Sequence, residues 1–403
     1  MSEVLFVSMY APYDTVPHAG GKVHNFYVKE LQKRKNVHQT LISMCYQTEV
    51  KELDLDKYGI DHDIVVLDRN IFEKNLRKFI SGFSYFNPWD KYCNTLLNYE
   101  RYHLKQRLKK YKRNNKEPDV VILQWTQIIF LIPFVKKLFP NAQIITIEED
   151  VLFLNYLRRI DLQKTHMKKR FATYQYNKIK KLELQSLKQS DLIVTNNFKD
   201  SNLLVDNGIS EEKIYTSAVY FTDYSKVINE PTGKDILFYG AMHRPENYLS
   251  VKWFVDNVFY KLQDTEIRLF IVGGNPPKEI TDLQSDRIIV TGFVDSVAEY
   301  FEKCMCLVAP LVLGAGIKVK VLEAMSAGIP VLTNNIGIEG IKAVNGIHYF
   351  HCETPEEYID SINSFCSDRT KMSVVREQSK NFIQENYDIS ERVNNLYNRL
   401  FER

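Results

Sequence analysis

The feature that most constrains this chain is a rhythm that runs twice. Short apolar runs alternate with amphipathic stretches, stop, and start again. Val4–Ser8, Val37–Met44, Asp63–Leu67, Val120–Gln124, Gln143–Ile147 and Leu192–Thr195 read as strands. Gly20–Arg34, residues 70–116 with a break at Pro88, Phe130–Phe139, one long basic stretch at 160–189, and Lys199–Asn207 read as the helices between them. Tyr220–Lys234 has no periodicity and carries Asp223, Pro231 and Gly233, so it reads as a linker. The rhythm resumes with strands at Ile236–Phe238, Ile267–Val272, Ile288–Thr291, Met305–Ala309 and Val331–Thr333, and helices at Leu249–Tyr260, Val297–Lys303 and Ile317–Ala327. Strands that alternate with helices must run parallel, with helices covering both faces of the sheet. The prediction is therefore α/β, with two doubly wound layers. A chain of 403 residues is long enough for each layer to bury its own core.

Several function classes drop out on composition. No run of 18 apolar residues is present, so no membrane-spanning helix is expected, and the first residues read as a strand rather than a signal peptide. None of the six cysteines, Cys45, Cys93, Cys304, Cys306, Cys352 and Cys366, forms a C-x-x-C pair. They read as buried thiols of a reducing, cytoplasmic compartment, with no structural zinc. Neither a G-x-G-x-x-G turn after the first strand nor a G-x-S-x-G elbow occurs. The D-x-D triplets at Asp54–Asp56 and Asp61–Asp63 read as loop charges, not a metal site.

Charge is uneven along the chain. Residues 1–215 hold 34 Lys/Arg against 25 Asp/Glu, and residues 216–403 hold 19 against 25. The excess lies in Arg101–Lys116 and Arg158–Lys188, with aromatic residues at Phe79–Phe86 and Trp89. A basic face with apolar neighbours suits an anionic membrane surface or a phosphate-bearing substrate; the plain alternative is two solvated helices. No nucleic-acid motif accompanies the charge.

The densest chemical signal is GAGIKVKVLEAMSAGIPV at 314–331, between two predicted strands. Gly314 and Gly316 let backbone N–H groups approach an anion, and the positive end of the next helix points to the same place. Lys320 and Glu323 share one helix face. There a cation can neutralise a diphosphate while a carboxylate accepts hydrogen bonds from sugar hydroxyls; the plain alternative is a surface ion pair.

This string resembles the donor-site signature of GT-B glycosyltransferases of the family 4 kind. Val290–Asp295 is similar to the family's TGFV-D strand and loop, and Asp235–Met242 with Pro245–Asn247 to the turn that opens its C-terminal domain. Asp191–Asn196 and Gly20-Gly21 are looser likenesses in the first half. The resemblance implies two Rossmann-like domains facing a central cleft. An acceptor-binding domain would span 1–215 and a nucleotide-sugar domain 216–388, and a helix at 389–403 would return to the first domain. It implies that Glu323 holds the donor ribose. Lys320, with Arg244 and Lys318, would face the diphosphate, with Gly21, Gly240, Gly314 and Gly316 near the phosphates and Phe293 near the base. On the acceptor side Glu149 would orient a hydroxyl; the plain alternative is a helix N-cap at Asp150 with the Glu residues in solvent. Trp125 would wall a sugar and His18 reach a phosphate.

The implied activity is retaining and needs no metal or cofactor. It moves a sugar from a nucleotide sugar to a glycan, lipid-linked or protein acceptor in surface polysaccharide or glycoconjugate assembly. From the residues themselves, cysteine usage points to the cytoplasm, and the basic first half with Phe79–Phe86 to peripheral contact with an anionic inner membrane face. The chain departs from the family at Ala315, where the first Glu of a Glu-x7-Glu pair should stand. That departure keeps open an alternative, an inactive GT-B partner or scaffold of an active transferase. A GT-B epimerase fits the fold but not the string.

Overall fold

The computed structural model describes residues 1–16, 19–86, 95–114, 117–161, 163, 165–217, 219–314 and 317–401. It separates into two compact units, Met1–Ala218 with Ile389–Arg403, and Val219–Asp388.

In the first unit the strands are β1 (Ser2–Ser8), β2 (Val37–Tyr46), β3 (Asp61–Leu67), β4 (Val120–Gln124), β5 (Gln143–Glu148), β6 (Leu192–Thr195) and β7 (Ile214–Thr216). They form one sheet in the order β3-β2-β1-β4-β5-β6-β7, with every pair parallel. The helices are α1 (Ala19–Gln32), α2 (Ile71–Phe86), α3 (Asn98–Arg113), α4 (Ile132–Leu138), α5 (Leu152–Asp161), α6 (His166–Leu187) and α7 (Phe198–Asp206). Strand β4 is buried along its whole length, and Leu5, Val7, Val121, Leu123, Ile144 and Ile193 lie in one core cluster. Strand order reverses at β1 and β4, so the crevice of this sheet opens beside Ser8 and Gln124, where open parallel sheets take ligands.

Two expected helices come out differently. The basic stretch at 160–189 is not one helix, because α5 begins soon after β5 and ends at Asp161, and α6 starts anew at His166. Thr165 caps the new start, accepting from the Lys168 N–H, and the Glu183 carboxylate near the end of α6 accepts from Leu152 N and Phe153 N at 2.8 Å each. A carboxylate at a helix N-terminus satisfies donors that have no partner within the helix. The stretch expected to be helical from Phe130 starts as a tight 3₁₀ segment, Thr126–Leu131, because Pro133 sets the first turn of α4.

The second unit repeats the design with β8 (Asp235–Tyr239), α8 (Pro245–Asn257), β9 (Arg268–Val272), α9 (Lys278–Thr281), β10 (Ile288–Gly292), α10 (Ala298–Lys303), β11 (Cys306–Ala309), α11 (Val319–Ala327), β12 (Val331–Thr333), β13 (Phe350–His351), α12 (Pro355–Ser367) and α13 (Thr370–Asn386). Its sheet order is β10-β9-β8-β11-β12-β13, again all parallel. The segment read as a linker is bound to this unit. Phe221 and Val227 enter its core, and the Asn229 amide donates to Phe301 O and Cys304 O. A polar linker residue thus satisfies carbonyls at the end of α10, a role that periodicity does not reveal.

The last helix, α14 (Ile389–Phe401), belongs to the first unit. Its apolar stripe, Val393, Leu396, Tyr397 and Leu400, is buried, and the Tyr397 hydroxyl donates to Tyr27 O at 2.8 Å. Burial of such side chains contributes roughly 1.5–3 kcal/mol each. Of the cysteines, Cys45, Cys304, Cys306 and Cys352 are buried and Cys366 is half-buried; all five are free thiols, and Cys93 lies outside the described residues.

Candidate functional site

In the second unit the strand tips meet through glycine backbone. Gly240 follows β8 with φ +154°, and Gly273 follows β9 with φ +150°. A Cβ on Gly273 would lie 1.8 Å from Gly240 O, so these two strand ends touch with no room for a side chain. A Cβ on Gly240 would sit 2.9 Å from both Lys320 Nζ and Asn247 Nδ2. Bare backbone here leaves space for the lysine.

Lys320, in the first turn of α11, donates to Asn247 Oδ1 at 2.6 Å, and its ammonium lies 4.8 Å from the Phe238 ring centroid. Asn247 is oriented by its own donation to Ala241 O at 2.9 Å. No carboxylate forms an ion pair with Lys320 among the described residues. Burial therefore dominates and pulls its ammonium down to about 7, with Glu246 and Glu323 opposing the fall and Lys318 and Arg244 adding to it. A lysine so placed is held ready for an anion.

One turn on, the Glu323 carboxylate is aimed by two groups. Oε1 accepts from Thr222 N at 3.2 Å, and Oε2 accepts from the Tyr239 hydroxyl. Burial and then Glu323 itself raise Tyr239 well above the ordinary phenol range, so it stays a donor. Thr222, Tyr239 and Asn247 are site residues that sequence reasoning passed over. The Pro-Glu-Asn triplet was the available signal for Asn247; nothing local marked the other two.

The remaining expected donor residues fall around this pair. Lys318 caps α11 and lies 3.6 Å from Glu339 Oε2, so its charge is already partly answered. Gly314 has φ +135°, and a Cβ there would approach Lys318 Cε to 3.0 Å. Gly316 and Ala315 lie outside the described residues. Arg244 stands at the N-cap of α8, exposed, with Glu246 at 3.7 Å. Phe293 is 78% exposed, and its Cβ is 3.5 Å from where a Cβ on Gly274 would stand.

The first unit brings Trp125 and Glu149 together with residues not singled out in the sequence. Trp125, at the end of β4, has φ +83°, and its ring would lie 2.6 Å from a Cβ on Gly20, so a glycine is needed where α1 begins. Gly21 is buried in that first turn, and His18 lies outside the described residues. Beside Trp125 runs a polar chain. Fully buried His24 shares a 2.8 Å bond between Nδ1 and Gln124 Oε1; Gln124 Nε2 donates to Glu149 Oε1 at 2.9 Å, and Asn196 Nδ2 donates to Glu149 Oε2 at 3.3 Å.

The directions follow from the chemistry. Because the Gln124 amide nitrogen serves Glu149, its oxygen must accept, so His24 carries its proton on Nδ1. Burial lowers His24 to about 4 and keeps it neutral. Burial also pushes Glu149 up to about 7, against the two amides and with Asp150 adding to the rise. Each Glu149 oxygen holds one fixed N–H, which leaves lone pairs for a ligand hydroxyl. No group of three or more His, Cys, Asp or Glu that could hold a metal is found among the described residues.

Residues 233–368 match the family of glycosyl transferases group 1. Solved structures similar over the whole chain include Anabaena Alr3699/HepE in complex with UDP (TM-score 0.66, 10% identity, 100% of both chains) and the lipopolysaccharide outer core galactosyltransferase WaaB (0.62, 16%, 99% of both). Sucrose-phosphate synthase from Thermosynechococcus elongatus is also similar (0.65, 13%, 100% of both). A curated relative, an uncharacterized 44.6 kDa protein in the cps region of Klebsiella pneumoniae, is 24% identical over 165 residues, 38% of this chain and 42% of that protein. Most of the second unit thus resembles a group 1 glycosyltransferase domain, and the chain as a whole shares the GT-B fold of these structures.

Proposed function

We propose that the chain transfers a glycosyl group from a nucleotide-diphosphate sugar to a hydroxyl of a glycan, lipid-linked or protein acceptor, retaining the anomeric configuration without a metal. The observation that carries this reading is Lys320, a half-buried lysine with no ion-pair partner among the described residues, against the bare backbone of Gly240 and at an α-helix N-terminus. A diphosphate supplies the missing negative charge. In the reaction the bond between anomeric carbon and diphosphate oxygen breaks, the acceptor oxygen bonds to that carbon from the same face, and its proton passes to the departing phosphate. Lys320 and the first N–H groups of α11 stabilise the charge that grows on that phosphate. Glu323, aimed by Thr222 and Tyr239, accepts the ribose hydroxyls. Glu149 receives the acceptor hydroxyl as a hydrogen-bond acceptor and orients it.

UDP is the first probe, since the HepE structure holds it. The cps-region relative favours an acceptor in surface polysaccharide assembly. The test is calorimetric titration with UDP, GDP, ADP and TDP. It is followed by chromatographic detection of free sugar and nucleotide from the matching sugar nucleotides, with and without EDTA. Binding of one nucleotide, lost in Lys320→Ala, together with turnover that EDTA leaves unchanged, is the expected result. Absence of binding to all four overturns the reading. Binding without turnover favours a partner subunit of an active transferase.

A further inference from the structure

The outward face at the start of α6 exposes large apolar side chains. This helix packs through Ala172, Ile179, Glu183, Ser186 and Leu187. At 100° per residue its opposite side carries Met167, Phe171 and Tyr174, which are 82%, 47% and 44% exposed. Large apolar side chains on the side away from the core, in consecutive turns, are the reverse of a solvated surface helix. Exposed Lys168 and Arg170 flank this stripe on either side, Lys169 is also exposed, and Arg158 and Arg159 are exposed on the neighbouring α5. From 152 to 187 the chain holds nine Lys/Arg and two acids, one of which, Glu183, is buried.

Topology sets where this face lies. In an all-parallel sheet α5 leaves the carboxyl edge after β5, and α6 must end at the amino edge to enter β6. A helix of 22 residues is about 33 Å long, whereas six-residue β5 spans about 20 Å. The first turns of α6 therefore project past the carboxyl edge. Helix α2 also leaves from that edge, after β3, and exposes Phe72 and Leu76 beside exposed Lys74 and Lys78.

We propose that the start of α6 is a membrane-docking surface, with Met167, Phe171 and Tyr174 entering the interfacial region of an anionic bilayer and the Lys/Arg ring meeting phosphate headgroups. An apolar tip flanked by cations, with no exposed acid among the side chains described there, complements a surface that is apolar inside and anionic at its rim. No described helix is long and apolar enough to cross a membrane, so the contact is superficial. The surface stands whatever the donor; that it serves a lipid-held acceptor rests on the function proposed above.

The test is co-sedimentation of the full chain with phosphatidylcholine vesicles, with and without phosphatidylglycerol, at low and high salt. The variants are Met167→Ser/Phe171→Ser and Lys168→Gln/Lys169→Gln/Arg170→Gln. Wild type is expected to bind the anionic vesicles and to be released by salt, and each variant to bind at least tenfold more weakly with an unchanged melting temperature. UDP titration of the same preparations separates the two readings. UDP binding without vesicle binding sinks only the membrane face, and vesicle binding without UDP binding sinks only the donor reading. Variants that bind vesicles as well as wild type overturn the proposal. So does wild type that ignores lipid but forms dimers that Met167→Ser/Phe171→Ser separates.

Discussion

Lys320 in the second unit and Glu149 in the first are driven to the same place on the pH scale from opposite sides. One is an ammonium pulled down to about 7, the other a carboxyl pushed up to about 7, and burial is the leading cause in both. Their surroundings differ. Lys320 has one neutral amide, Asn247, and no paired carboxylate among the described residues. Glu149 has two amides, Gln124 and Asn196, donating to separate oxygens. The comparison teaches what each lacks: the lysine lacks a counter-charge, the glutamate only one more donor. A diphosphate answers the first, a hydroxyl the second.

The largest effect that tests this contrast is Lys320→Ala. Loss of one charge-assisted contact to a diphosphate should cost about 1.5–3 kcal/mol, roughly ten- to a hundredfold in kcat/KM for the donor. Melting temperature at pH 7 should not fall, because a group whose folded pKa lies below its unfolded value weakens the fold wherever the unfolded chain holds the proton. A large drop in melting temperature would make Lys320 a structural partner of Asn247 instead.

Next comes Glu149→Gln, with about a tenfold loss in kcat/KM for the acceptor and unchanged UDP affinity. The folded pKa is raised, so the ionised carboxylate burdens the fold above about 7 and not below about 4.5. The variant should therefore melt higher than wild type at pH 8 and equally at pH 4. A variant that melts lower at pH 8 would make the carboxylate structural.

A smaller effect is the pH dependence of donor binding. An anion raises the Lys320 pKa, so UDP binding above pH 7 takes up a proton and weakens as pH rises. Calorimetry in buffers of different ionisation enthalpy reads this directly, and affinity flat from pH 6 to 9 would contradict it. Smallest is Asn196→Leu, which removes one N–H from Glu149. The acceptor pH profile should move to higher pH by less than about one unit, with the donor profile unchanged. A shift to lower pH would mean that Asn196 serves the protonated form.

How far the site was readable follows from the same contrast. Lys320 and Glu323 stood out because loop, cation and carboxylate fall within ten residues of one string and share a helix face. Their aim did not, since Thr222 and Tyr239 reach Glu323 from 101 and 84 residues away. Glu149 was marked only by its place at a strand end, and His24 lies 100 residues from Gln124.

What the sequence by itself determined is what repeats locally: apolar runs that alternate with amphipathic stretches specify parallel strands and covering helices, twice, and glycines before a helix specify an anion-ready turn. What only the tertiary structure decided is which distant polar groups meet. The division of residues 160–189 between two helices, the linker bound into the second unit, and the His24–Gln124–Glu149–Asn196 chain all depend on which strand ends become neighbours. The physical reason is range. Backbone geometry and side-chain periodicity act over a few residues, whereas a buried polar group is satisfied by whatever packing brings within about 3 Å, however far off in the chain.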